Sequence, residues 1–259
     1  MKIFILHTRK AETAPLFART LENCEAGNSL PSNHREYFII NYGTRLLDAV
    51  HAKLNKNLIT EKFKALSILK EAGINVPQFW WIPTARVSIV DLLNWVKRLR
   101  FPLLARRTRH FKGKDIIFLR SRFSLRKRLR RVLKRQTLVE YIPKQLEFRV
   151  HVLGDEAPII SQKVPSENSR RPHPHVWTSD RGWTLVDYEG IHTEALKQLG
   201  IKTLKALHYD FGAIDIGLSR NNQFFVFEVN SAPRLSKQRR KIYAQYFRQK
   251  EKAFRRTNQ

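Results

Sequence analysis

Apolar and polar residues alternate in two runs near the C-terminal end of the chain, Phe211 to Leu218 and Gln223 to Asn230, with the turn formers Ser219-Arg220-Asn221-Asn222 between them. Alternation of period two bounded by a polar cluster predicts a β-hairpin. If Leu218 pairs with Gln223, one face carries Ile214, Ile216, Leu218, Phe225, Phe227 and Val229 and belongs to a core. The other face carries Asp215, Glu228 and Asn230, with Asp215 diagonal to Glu228 at roughly 7–8 Å. Three hard oxygen ligands from two strands suit Mg²⁺, which takes few carboxylates and completes its shell with water and phosphate. Polar alternation on the wet side of a one-sided hairpin is the other reading of the same residues.

The remaining pattern divides the chain into segments. Residues 1–58 predict a small α/β unit: strand Lys2–His7, a helix near Ala11–Asn23, a polar loop Glu25–His34 and strand Tyr37–Asn41. Residues 59–100 begin with a helix capped by Thr60, with Phe63, Leu66, Ile68 and Leu69 on its apolar side and Gly73 and Pro77 as stops. A short strand Phe79–Trp81 and a helix Val90–Leu99 follow. Residues 101–142 predict strands Leu103–Arg106 and Asp115–Leu119 around a cationic loop containing Gly113, then a helix capped by Ser124 with Leu125, Leu129, Val132 and Leu133 inward, and strand Leu138–Tyr141. A loop of this kind either covers phosphates with backbone N–H groups or is an ordinary turn. Residues 143–235 predict strands Glu147–Leu153 and Pro158–Val164, with Glu147, Arg149 and His151 on one face of the first. A polar excursion 165–190, longer than a simple connection needs, precedes helix Thr193–Leu199 and the hairpin. His173 and His175 in the excursion lack the spacing and partners of a metal site. Residues 236–259 predict a basic helix, Lys237–Arg256, docked through Ile242, Tyr243, Tyr246 and Phe247.

Charge changes this picture more than composition does. The 259 residues carry a formal net charge of +27, which implies a polyanionic partner or else a basic solubilising surface. The helix at 124–135 bears Arg126, Lys127, Arg128, Arg130, Arg131, Lys134 and Arg135 on its outer face with no acid to offset them. Cys24 is the single cysteine, so a disulfide framework and a cysteine metal site are excluded and a reducing compartment fits. The apolar start is too short for a signal peptide or a membrane span. The expected location is therefore the cytoplasm, the host's if the chain is phage-encoded.

From about Glu61 to Pro233 the ordered set of segments resembles the ATP-grasp superfamily of carboxylate–amine ligases. It is closest in look to small bacteriophage proteins of that superfamily, which share the run Asp210-Phe211-Gly212-Ala213-Ile214-Asp215-Ile216. The resemblance implies an α+β fold, two subdomains clasping ATP behind a small α/β N-terminal domain. It implies ATP and Mg²⁺ (or Mn²⁺) as cofactors, with Asp215, Glu228 and Asn230 as metal ligands. Lys62 and Arg106 would lie on the phosphates, Gly113 in a small lid, Glu140-Tyr141-Ile142 at the adenine hinge, and Glu147 on the ribose. Lys163 would be a second phosphate lysine and residues 165–190 a large lid. Many members have an arginine where this chain has Ala213, and Arg149 is the expected substitute in the catalytic set with Lys163. The family's glycine after the proline that follows the metal asparagine is Arg234.

The implied activity joins a carboxylate to an amine, or a thiol, through an acylphosphate with release of ADP. The acceptor expected from the charge is a nucleic acid or an acidic peptide held by the basic helices 124–135 and 237–256, with no membrane involved. A catalytically inactive relative that binds nucleic acid is the alternative that Ala213 and Arg234 favour.

Overall fold

The computed structural model describes residues 1–8, 11–44, 51–59, 61–82, 94–106, 116–135 and 137–258. Its N-terminal part is a three-stranded parallel sheet. Strand β1 (Lys2–His7) lies between β2 (Cys24–Gly27) and β3 (Tyr37–Tyr42), with helix α1 (Ala14–Ala18) on one face. All six residues of β3 are buried, as a parallel strand covered on both faces requires. Strand β2 falls where the polar composition predicts only loop.

Helix α2 (Lys62–Glu71) buries Phe63, Leu66 and Leu69. Its expected cap, Thr60, lies outside the described residues, as do Gly113 with its loop and residues 90–93 of the helix expected at Val90–Leu99, of which 94–97 are helical. A four-stranded antiparallel sheet follows, in the order β4 (Phe79–Trp81), β7 (Thr137–Glu140), β5 (Leu103–Arg106) and β6 (Ile117–Leu119). Helix α3 (Arg122–Leu133) packs on its outer face. The cap is Ser121, not Ser124: the two serines form a reciprocal capping box in which Ser124 is the third helical residue. Leu133, expected inward, is 37% exposed.

The second sheet is antiparallel and five-stranded, in the order β10 (Trp183–Asp187), β9 (Glu156–Pro165), β8 (Lys144–Leu153), β11 (Phe211–Ser219) and β12 (Phe224–Asn230). Helix α4 (Thr193–Ala206) covers one face, and with α2 it encloses a core of Phe148, Val150, Val152, Ile214, Ile216 and Val226. Strand β10 lies inside the polar excursion, where no strand is expected from the pattern.

The hairpin β11–β12 forms at the expected place, but its register corrects the predicted pairing. Leu218 opposes Phe224 and Ile216 opposes Val226; a bulge then brings Glu228 directly opposite Asp215. Phe224 and Val226 therefore belong to the core face, and Phe225 and Phe227 do not. Phe227, the extra residue of the bulge, lies over Gly217, where a Cβ would meet the ring at 2.3 Å. Helix α5 (Lys237–Thr257) closes the chain and docks Tyr243, Ala244, Tyr246 and Phe247 against the N-terminal sheet.

Candidate nucleotide and metal site

The paired strands build two rows of side chains across the face of the five-stranded sheet turned away from α4. In the first, Ser161 opposes Arg149, Arg149 opposes Asp215, and Asp215 opposes Glu228. In the second, His151 opposes Ala213 and Ala213 opposes Asn230. Opposed residues share a face, so Asp215, Glu228 and Asn230 stand together. They flank the core residues Ile214, Ile216 and Val226, which hold both strands rigid from behind.

Cations from four elements converge on these acids. Arg149 grips Asp215 in a fork, Nε to Oδ1 at 2.7 Å and Nη2 to Oδ2 at 2.9 Å. Lys163 Nζ lies 3.6 Å from Asp215 Oδ2 and also donates to Glu147. Lys144 Nζ holds the other Glu147 oxygen at 2.6 Å, and Lys62 on α2 donates to Glu228 Oε1 at 2.6 Å. Burial by itself would raise the pKa of Asp215; Arg149 and Lys163 outweigh it and hold the carboxyl far below its ordinary range. For Glu228, burial likewise acts upward and is overcome by Lys62 and Arg106. Lys163 is held above its ordinary value because Asp215 and Glu147 outweigh its burial. Both acids are thus ionised in the free protein, as metal ligands must be.

Arg106 reaches this cluster from the other sheet. Burial lowers its pKa, with Glu228 opposing the shift, and its Nε has no hydrogen-bond partner. Its guanidinium carbon lies 6.0 Å from the Phe63 ring centroid. A buried guanidinium with an open donor is suited to an incoming phosphate oxygen. His151 is buried between Arg149 and α5. Its Nδ1 lies 2.9 Å from Tyr243 Oη and its Nε2 is unpartnered, and burial, with Arg149 and Arg239, pushes its pKa down to about 3.

The oxygen set fits Mg²⁺ chemically: two compensated carboxylates and an amide, with cations placed for the phosphates that complete the shell. Among the described residues no group of three or more His, Cys, Asp and Glu could hold a metal by itself. At the connector between the sheets, the Glu140 N–H bonds to the Gln78 carbonyl at 2.7 Å and the Tyr141 N–H to the Pro102 carbonyl at 3.0 Å. Glu140 Oε2 accepts from the Gln78 N–H, and Ile142 is buried. Lys144, which no motif marks, is a further part of the cluster; only the folded strands bring it to Glu147.

The two basic helices differ in use. Several cations of α5 are committed to the body: Arg255 and Arg248 pair with buried Glu251, and Arg240 Nε donates to Thr20 at 3.1 Å. On α3, Arg122 and Arg128 donate to the Lys97 and Phe118 carbonyls, while Arg126, Lys127, Arg130 and Arg131 point outward.

Two antiparallel sheets facing across a cleft, with acids on one and cations contributed by both, define the ATP-grasp class of fold. Residues 59–247 match the RimK-like ATP-grasp domain, and the chain belongs to that family. No curated protein sequence matches it. Among solved structures it is similar to the ATP-grasp ligase PsnB complexed with minimal precursor, Mg and ADP, at 11% identity and a TM-score of 0.68 over 95% of this chain and 96% of that one. It is also similar to D-alanine–D-alanine ligase from Bacillus anthracis, at 14% identity and a TM-score of 0.66 over 92% of this chain and 89% of that one. A third likeness is to the macrocyclase MdnC bound with precursor peptide MdnA from Microcystis aeruginosa MRC, at 12% identity and a TM-score of 0.56 over 91% and 92%. At such identities the likeness establishes the fold. No described helix is long and apolar enough to cross a membrane.

Proposed function

We propose that this protein is an ATP- and Mg²⁺-dependent ligase that joins a substrate carboxylate to an amine through an acylphosphate, with an acidic peptide as the macromolecular substrate. The observation that carries this reading is the opposition of Asp215 and Glu228, each held by a cation that can exchange its carboxylate for a phosphate oxygen. Mg²⁺ or Mn²⁺ on Asp215, Glu228 and Asn230 would supply charge neutralisation at the phosphates.

Lys62, Arg106 and Lys163 then bind the phosphate oxygens and align the γ-phosphorus. The substrate carboxylate attacks that phosphorus, the bond to the β-phosphate bridging oxygen breaks, and ADP leaves. The amine attacks the acyl carbon, loses its proton, and phosphate departs. Arg149 is the cation that would donate to the acylphosphate oxygens beside Ala213. The N–H groups of Glu140 and Tyr141 are already bonded, so the N–H left to read adenine at this connector is that of Ile142. Glu147, paired with Lys163 and Lys144, is the carboxylate that would hold the ribose hydroxyls.

A peptide is preferred to a nucleic acid because MdnC was solved with a precursor peptide and PsnB with a minimal precursor. The outward cations of α3 suit an acidic segment. Incubation with Mg-ATP and a panel of carboxylates, amines and acidic peptides, reading ADP against AMP, tests the proposal. ADP formation that falls about 100-fold in Glu228→Gln supports it; AMP as product rejects the acylphosphate route. Insensitivity to ionic strength would remove the acidic acceptor.

A further inference from the structure

Away from the cation cluster, His175 of the excursion lies flat on Phe118 of β6, ring centroids 3.8 Å apart and planes 15° from parallel. Its Nδ1 is 3.2 Å from Tyr141 Oη, and Phe118 meets Tyr141 edge to face at 5.2 Å. The three rings come from β6, from the connector between the sheets, and from the chain between β9 and β10. The register fixes their place in the cleft. Phe118 opposes Leu104, which opposes Val139. That row faces away from Leu103, Ala105, Leu119 and Leu138, which pack with α3. Arg106, two residues along β5 from Leu104, shares the inner face. A strip therefore runs from the phosphate cation Arg106 to Phe118 and the connector.

The excursion presents His175 from a built loop. His173 Nδ1 accepts the N–H groups of His175 and Val176 at 3.1 and 3.0 Å. Trp183 Nε1 donates to the His173 carbonyl at 3.0 Å, and Trp183 stacks on Trp177 at 3.9 Å. His173 is thus engaged in shaping the loop. His175, at its tip, is left to face the opposite sheet.

We propose that Phe118 is the stacking platform for the nucleobase and that the His175 imidazole occupies it in the nucleotide-free protein, so that an adenine nucleotide binds by displacing His175. The inference rests on the ATP-dependent reading above. A flat, partly polar ring at van der Waals separation from a benzene ring makes the contact a purine would make, and two rings cannot share one face. Displacement also frees the excursion from the four-stranded sheet, which couples base binding to movement of the segment beside Lys163. The occupied platform lowers apparent nucleotide affinity by the fraction of molecules in which it is filled.

The test is calorimetric titration of the full chain with Mg²⁺ and a non-hydrolysable ATP analogue, in the wild type, His175→Ala and Phe118→Ala. The expected results are about three- to tenfold tighter binding for His175→Ala and about tenfold weaker binding for Phe118→Ala. In NMR spectra of the wild type, the His175 Cε1–H resonance should lie upfield under the Phe118 ring and return to an exposed position on analogue addition. Unchanged or weaker binding by His175→Ala, or an unmoved resonance at saturation, overturns the inference while leaving the ATP reading intact. Absence of analogue binding by both wild type and His175→Ala rejects the ATP reading itself.

Discussion

Arg149 and Asp215 face each other on neighbouring strands and share two hydrogen bonds, at 2.7 and 2.9 Å, inside a site whose other acids, Glu228 and Glu147, are held by lysines. The pair holds the carboxyl of Asp215, the proposed metal ligand, well below its ordinary range. Removing one partner leaves a buried charge uncompensated. Arg149→Met should therefore lower stability by about 3 kcal/mol, read from urea unfolding, and should also abolish turnover. A stable but inactive Arg149→Met protein would mean that Lys163 alone compensates Asp215.

Arg106 makes the opposite prediction. Its buried Nε lacks a partner, so the free protein carries an unsatisfied donor that a phosphate would satisfy. Arg106→Met should raise the thermal midpoint of the nucleotide-free protein, by about 1 kcal/mol in free energy, while weakening Mg-nucleotide binding tenfold or more. Paired melting curves with and without an ATP analogue measure both effects.

His151 sets a pH dependence. Its folded pKa, about 3, lies below its ordinary value of 6.5, because burial disfavours the charged ring. A depressed pKa means the unfolded chain takes the proton first. Stability from this residue is complete above about pH 6.5 and is lost as pH falls toward 3, at about 1.4 kcal/mol per unit. Between pH 6.5 and 5 the loss should be about 2 kcal/mol. His151→Gln should flatten that part of the curve, and the comparison of denaturant midpoints at the two pH values decides it. The depressed carboxyls of Asp215 and Glu228 act in a lower window, stabilising above the ordinary carboxylate range near pH 4 and losing that contribution as pH falls below it.

Gly200 on α4 sets helix propensity against packing. Glycine in a helix costs about 1 kcal/mol relative to alanine, so propensity favours Gly200→Ala. A Cβ there would lie 2.9 Å from Val150 Cγ1 and 3.1 Å from Val152 Cγ2, both on a fully buried strand face. Overpacking of about 1–3 kcal/mol outweighs the propensity gain. The variant should be less stable by about 1 kcal/mol, measured by its urea midpoint.

Much of this molecule is written in local pattern. The alternation around Ala213 to Leu218 and the four turn formers after it specify a hairpin without reference to the rest of the chain. The same is true of the two-faced strand carrying Glu147, Arg149 and His151, and of the aromatic stripe through Tyr243 and Phe247. Strands β2 and β10 are not legible, because each is a short edge strand, four and five residues long, set in a polar stretch of chain. Leu133 was misplaced because an amphipathic stripe does not reveal where the facing sheet ends.

The sequence by itself determined a hairpin that carries Asp215 on one strand and Glu228 and Asn230 on the other; strict two-residue alternation from the observed Leu218–Phe224 pairing would turn Glu228 and Asn230 onto the core face. The tertiary structure decided that the three share a face, with Asp215 directly across from Glu228, because a bulge at Phe227 shifts the register by one. It also decided which cations meet them: Lys62, Lys144, Arg149 and Lys163 converge only when two sheets and a helix close on one cleft, and no spacing along a chain encodes that distance.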